Sequence, residues 1–183
     1  MHKTKIIYVV LLTLLCVAIF PMFIGTFSEE AIRWAVRRTA DIAFILFYFS
    51  FGASSLHFLH KTKVSSWLLM NRRYLGISFG ISFLSHAALI LFLAQRYPEP
   101  LLSDLSNMTI YIGIVAFSFT SLMTLTSNNT AVNLLGRKFW STLHTMGGYY
   151  LLMVFTLTYL SKLENINFWP YALAAVSLIL LRL

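Results

Sequence analysis

The chain has 183 residues, of which 58% are hydrophobic and 11% charged, and its mean hydropathy is +0.77. Soluble domains hold roughly 45–50% apolar residues, so this composition excludes a soluble enzyme and describes an integral membrane protein, with room for about six spans of ~20 residues. The net charge of +8 reads as loop charge at one membrane face rather than as a nucleic-acid surface, and the single cysteine, Cys16, excludes a disulfide framework and a thiolate metal site.

In chain order, Met-His-Lys-Thr-Lys precedes an apolar run over 6–20. The run is long for a signal core and no small-x-small cleavage pattern follows, so it reads as a retained first span over 6–26. A connector over 27–38 carries Glu29, Glu30, Arg33, Trp34, Arg37 and Arg38 at the spacing of an interfacial helix. Span two is expected over 41–60, closing on Leu-His-Phe-Leu-His ahead of Lys61 and Lys63. Span three, 73–96, starts at Arg72-Arg73 and ends where Tyr97-Pro98-Glu99-Pro100 breaks the helix. Span four is expected over 108–126, a polar loop over 127–138 and span five over 139–161. Span six, 168–183, opens on Phe168-Trp169-Pro170 with proline in its first turn. The expected fold is an all-α six-transmembrane-helix bundle, a single transmembrane domain over 1–183.

Cytoplasmic N- and C-termini place Lys3, Lys5, Lys61, Lys63, Arg72, Arg73, Arg137, Lys138 and Arg182 inside, against Arg33, Arg37, Arg38, Arg96 and Lys162 outside. That nine-to-five excess of basic residues sets the orientation. All six acids, Glu29, Glu30, Asp41, Glu99, Asp104 and Glu164, fall on the outer side. The pattern fits an integral protein of a bacterial inner (plasma) membrane.

The chain has no repeat and no Gly-rich phosphate loop, so chemistry rests on five histidines. His2 lies in the exposed N-terminus. His57 and His60, three residues apart on one helix face, end span two as interfacial side chains, or His57 serves as a ligand. His86 is thirteen residues past Arg73, about 20 Å along the helix and well within a ~30 Å hydrocarbon core. It either bonds Ser85, Ser82 or a carbonyl of a neighbouring helix, or ligates haem iron. His144, six residues past Lys138 and about 9 Å along its helix, is either an interface histidine near Arg72 and Arg73 or a second iron ligand. Two imidazoles on one iron have nitrogens only ~4 Å apart. His86 and His144 differ by roughly 11 Å in depth and are therefore not expected to share one haem.

Two motifs carry a resemblance. Asn-Arg-Arg-Tyr-Leu-Gly-Ile at 71–77 followed by His86, and Leu-Gly-Arg-Lys-Phe-Trp-Ser-Thr-Leu-His at 135–144, resemble the third and fifth helices of the ferric-reductase-like transmembrane family, in particular its MsrQ/YedZ-type haem membrane subunits. Arg38-Thr39-Ala40 is similar to the segment leading into that family's second helix, and the order of elements agrees over about 36–183. The resemblance implies a six-helix bundle passing electrons through b-type haem, with His86 an outer-level ligand and His144 an inner-level one. It also implies a second histidine on helix five, where this chain has Thr158. Met153, whose thioether can ligate haem, is the substitute donor for His86, and His57 or Arg73 is the candidate partner of His144. With no flavin or nicotinamide domain in these residues, the chain is at most the electron-transfer component of an oxidoreductase. Its electrons are expected from a quinone, a flavoprotein or a partner redox subunit of a membrane complex. A haem-free bundle that anchors such a complex is the alternative; a small transporter, for which Asp41 is the one acid at a span end, is a third.

Overall fold

A computed structural model describes residues 5–23, 28–99 and 106–182. Among them are seven α-helices and one 3-10 turn, and no strand: α1 (Lys5–Phe23), α2 (Glu29–Leu59), α3 (Lys63–Arg96), α4 (Asn107–Leu125), α5 (Asn129–Leu135), α6 (Arg137–Leu160), the turn Ile166–Phe168, and α7 (Trp169–Leu180). The helices α2, α3 and α4 are long and apolar enough to cross a membrane, which makes the chain an integral membrane protein; Lys5–Phe20 and Ile166–Leu180 are shorter apolar helical stretches. His2, the close of the first expected span at 24–26, Phe27, Pro100 and Asp104 lie outside the described residues.

Two expected boundaries move. The connector is not a separate helix: α2 runs unbroken through Glu29–Leu59. Ser28 caps it by accepting from the Ala31 amide at 3.3 Å, Glu29 and Glu30 sit at the positive end of its dipole, and no proline interrupts it. Likewise α3 begins at Lys63, ten residues before Arg73, because Thr62 and Ser65 form a reciprocal capping box. At 34 residues it is about 51 Å long, so it tilts within, or extends beyond, a ~30 Å core. The expected loop at 127–138 contains α5, opened by Asn128, whose side chain accepts from the Ala131 amide at 2.7 Å. It closes at Gly136, whose φ of 77° suits only glycine without strain.

The helices close a ring. α2 packs along α3, α3 against α4, α4 against α6, α6 against α7 and α7 back onto α2, while α1 lies outside against α3 and α2. Phe44, Phe47 and Phe51 recur at helical spacing on one face of α2 and are all buried. They form a ladder of aromatic rings with Phe155, Tyr159 and Tyr171: neighbouring centroids are 5.2 Å apart for Phe51 and Phe47, 5.3 Å for Phe47 and Phe155, 5.2 Å for Phe155 and Phe44, and 4.9 Å for Phe44 and Tyr159. Tyr159 then stacks on Tyr171 at 5.1 Å. Rings fill the middle of the bundle. The outward face of α4, with Met108, Tyr111, Ile114 and Leu122 exposed, is apolar as a lipid-facing surface is.

Candidate functional site

His86 sits on α3 facing α2. Its Nδ1 lies 2.9 Å from the Val36 carbonyl and 3.4 Å from the Thr39 hydroxyl. A carbonyl only accepts, so Nδ1 carries the proton and Nε2 is left with its lone pair. The Thr39 hydroxyl is committed to the Ala35 and Val36 carbonyls at 3.0 and 2.9 Å. Ser82, one turn earlier on α3, donates to the Thr39 carbonyl at 3.1 Å, so Ser82 and His86 together pin α3 to α2 through main-chain acceptors. The half-buried imidazole is flanked by Phe83 and Phe117, with centroids 6.0 and 6.3 Å away. Metal-ligating histidines have this arrangement, one nitrogen held on a carbonyl and the other bare.

His144 is bound differently. Its Nε2 is 3.1 Å from the Thr126 hydroxyl, which itself donates to the Leu122 carbonyl at 2.6 Å. The hydroxyl's one proton is spent, so His144 Nε2 is the donor and Nδ1 is bare. Trp140 lies against the imidazole at 4.3 Å and donates its indole N–H to the Thr126 carbonyl at 2.9 Å. Arg73 reaches the same junction, with Nε 2.8 Å from the Ser127 carbonyl and Nη1 3.0 Å from Asn129 Oδ1. The fold thus brings Arg73 and His144 together at the α4–α5 corner. His57 is held at the α2–α3 turn, its Nδ1 3.2 Å from Ser65 Oγ.

Met153 is not brought to His86. It follows Leu152 on α6 and precedes Phe155 by two residues, about 200° around the helix, and Phe155 is the residue that faces Phe83, at 5.9 Å. Met153 is exposed in a groove with Tyr149, Leu157 and Ile179. Thr158 is also exposed and bonds the Val154 carbonyl of its own helix at 2.8 Å. Among the described residues no three His, Cys, Asp or Glu side chains converge as a metal site.

A second polar cluster escaped the sequence because its members are spread over three helices. Asp41, buried on α2, pairs with Arg38 at 3.1 Å and is hydrogen-bonded by Tyr171. The ring of Tyr159 and the amine of Lys162 lie within electrostatic reach. Desolvation pulls the Lys162 amine below its ordinary range, opposed by the Asp41 carboxylate and reinforced by Arg37. The acid is matched by cations on its own side of the bundle, which makes it a fastener of α2 to α7.

Comparison with protein-family models, with curated proteins and with solved structures finds no match for this chain.

Proposed function

We propose that this chain is a membrane-embedded electron-transfer subunit of ferric-reductase-like type, a six-span bundle with both termini cytoplasmic, that holds a single b-type haem through Nε2 of His86. The observation that carries the reading is the hydrogen bond of His86: Nδ1–H donates to the Val36 carbonyl, 2.9 Å from nitrogen to oxygen, which leaves Nε2 with its lone pair. His86 would hold the group through Nε2, and among the described residues no second donor is brought beside it: His144 keeps its bare Nδ1 at the α4–α5 corner, and Met153 faces away from α3. When bound, the haem supplies a one-electron carrier. The chain's own part is to orient the imidazole through Val36 and to shield it with Phe83 and Phe117. A bacterial inner membrane, a quinone or flavoprotein donor, and a partner redox subunit complete the proposal.

A haem-free bundle that anchors a membrane complex is the second reading, favoured by the aromatic ladder that already fills the space between α2, α3 and α6. A reduced-minus-oxidised difference spectrum with pyridine haemochrome quantification on detergent-purified protein decides between them. About one haem per chain, lost in His86→Ala and kept in His144→Ala, supports the first. No Soret band in protein purified from haem-replete cells refutes it and leaves the anchoring role, to be followed by native co-purification.

A further inference from the structure

An apolar groove of about 330 Å³ runs along the outside of the bundle between α6 and α7, walled by Tyr149, Leu152, Met153, Leu157 and Ile179. From Tyr149 to Leu157 it extends about 12 Å along the helix. One charged residue lines it: Arg182, just past the end of α7. Its guanidinium carbon lies 4.0 Å over the ring of Phe51 and 5.8 Å over that of Tyr149, and its Nε is buried with no hydrogen-bond partner among the described residues. A donor left orphaned in this way is costly unless something supplies an acceptor.

Among the described residues none is placed to supply one. Arg72 lies within electrostatic reach of Arg182 and is itself tied to Ser54 Oγ at 3.1 Å; His144 lies within reach of Arg72. Lys61, Lys63, Arg73, Arg137 and Lys138 belong to the same end of the helices, whereas every described acid, Glu29, Glu30, Asp41, Glu99 and Glu164, belongs to the other. Like charges crowded beside apolar walls favour an anion between them. An apolar trough that ends at the Arg182 guanidinium, with Arg72 within electrostatic reach of it, matches an anionic amphiphile in both its halves.

We propose that this groove is a binding site for an anionic phospholipid, with an acyl chain lying along α6 and α7 and the headgroup phosphate held between Arg182 and Arg72. Arginine forks suit phosphate oxygens, and basic pockets between membrane helices recruit anionic headgroups. The site is independent of whether haem is bound. It would tie the basic end of the bundle to the anionic face of the bilayer and hold α7 onto α6.

The test is a lipid titration of the detergent-purified full chain, read by native mass spectrometry and by thermal stability, with phosphatidylglycerol, phosphatidylcholine and inorganic phosphate as probes. Phosphatidylglycerol is expected to remain bound at one per chain and to raise the melting temperature, with phosphatidylcholine and free phosphate at least about tenfold weaker, the ratio expected for one charge-assisted contact. Arg182→Gln should weaken phosphatidylglycerol by a similar factor while leaving the far-UV helix signal unchanged. Met153→Trp, which fills the groove and keeps both arginines, should also displace the lipid. Equal retention of phosphatidylcholine, an equal shift with inorganic phosphate, or phosphatidylglycerol binding unaffected by both variants would overturn the proposal. So would a second copy of the chain bound at the groove, seen as a dimer that Met153→Trp dissolves.

Discussion

Substitution of His86 separates its two possible jobs, because its two nitrogens do different things. His86→Ala removes both. The lost bond from Nδ1 to Val36 is worth about 0.5–1.5 kcal/mol, nearer the lower end inside a bilayer, where such bonds average about 0.6. Val36 O still receives the Thr39 hydroxyl at 2.9 Å, so no orphaned acceptor adds to that. The missing ring leaves a space beside Phe83 and Phe117, and imperfect collapse there brings the total to about 1–3 kcal/mol. His86→Asn is the discriminating variant, since an asparagine amide can place its N–H close to where Nδ1 was while offering nothing at the position of Nε2. It should stay within about 1 kcal/mol of wild type. The assay pairs denaturant unfolding in detergent micelles, followed by far-UV circular dichroism, with the Soret absorbance of each purified variant. Asparagine is expected to recover most of the stability and none of the haem. If Asn proves as damaging as Ala, the bond to Val36 is not what holds the histidine; if it keeps the full Soret band, Nε2 is not the iron ligand.

Three other outcomes follow from the packing. Gly80 leaves no room for a side chain: a methyl there would stand 1.9 Å from Thr124 Oγ1, so Gly80→Ala should lower stability by about 1–2 kcal/mol, overpacking outweighing the gain in helix propensity, and Thr124→Ala in the same chain should restore more than half of it in a double-mutant cycle. The Arg38–Asp41 pair is unequal, 47% against 12% exposed, so Arg38→Gln takes the paired cation from a carboxylate held inside the bundle, leaving it the Tyr171 hydroxyl and the field of Lys162, while Asp41→Asn frees an arginine that reaches water. Arg38→Gln should be the more destabilising of the two by about 1 kcal/mol in thermal melts at pH 7. Thr62→Ala breaks the capping box that starts α3 and should cost about 1 kcal/mol, visible as faster amide exchange over the first turn of that helix.

The periodic features of the fold were legible and the cross-helix ones were not. The face Phe44-Phe47-Phe51, the break at Tyr97-Pro98 and the proline in the first turn of the last helix can all be read from spacing. The continuity of α2 was missed because charge was read as a boundary: Arg33, Arg37 and Arg38 look like the end of a membrane segment, yet Ser28 already caps a helix that nothing later breaks. Asn128, an N-cap ahead of Asn-Thr-Ala-Val, was a signal for α5 that a polar run concealed. For His86 the sequence offered a neighbouring-helix carbonyl as one alternative but not which carbonyl. The partner of His86 is a main-chain carbonyl fifty residues away, and a carbonyl leaves no trace in residue type.

At the basic end three motif residues, Arg73, Trp140 and His144, have a structural task. Trp140 and His144 both bind Thr126, Arg73 binds Ser127 and Asn129, and together they fasten α3, α5 and α6 to one corner. A chain that had no use for haem would still keep that set in order to close the bundle. His86 is not accounted for in the same way: Ser82, at the same interface, already ties α3 to the Thr39 carbonyl with a smaller side chain, and a second such serine would serve in place of an imidazole. What imidazole adds over serine at that position is a ring against Phe83 and Phe117, and Nε2. The proposed function therefore stands or falls on one nitrogen atom, and the asparagine variant removes that atom while sparing the bond beside it.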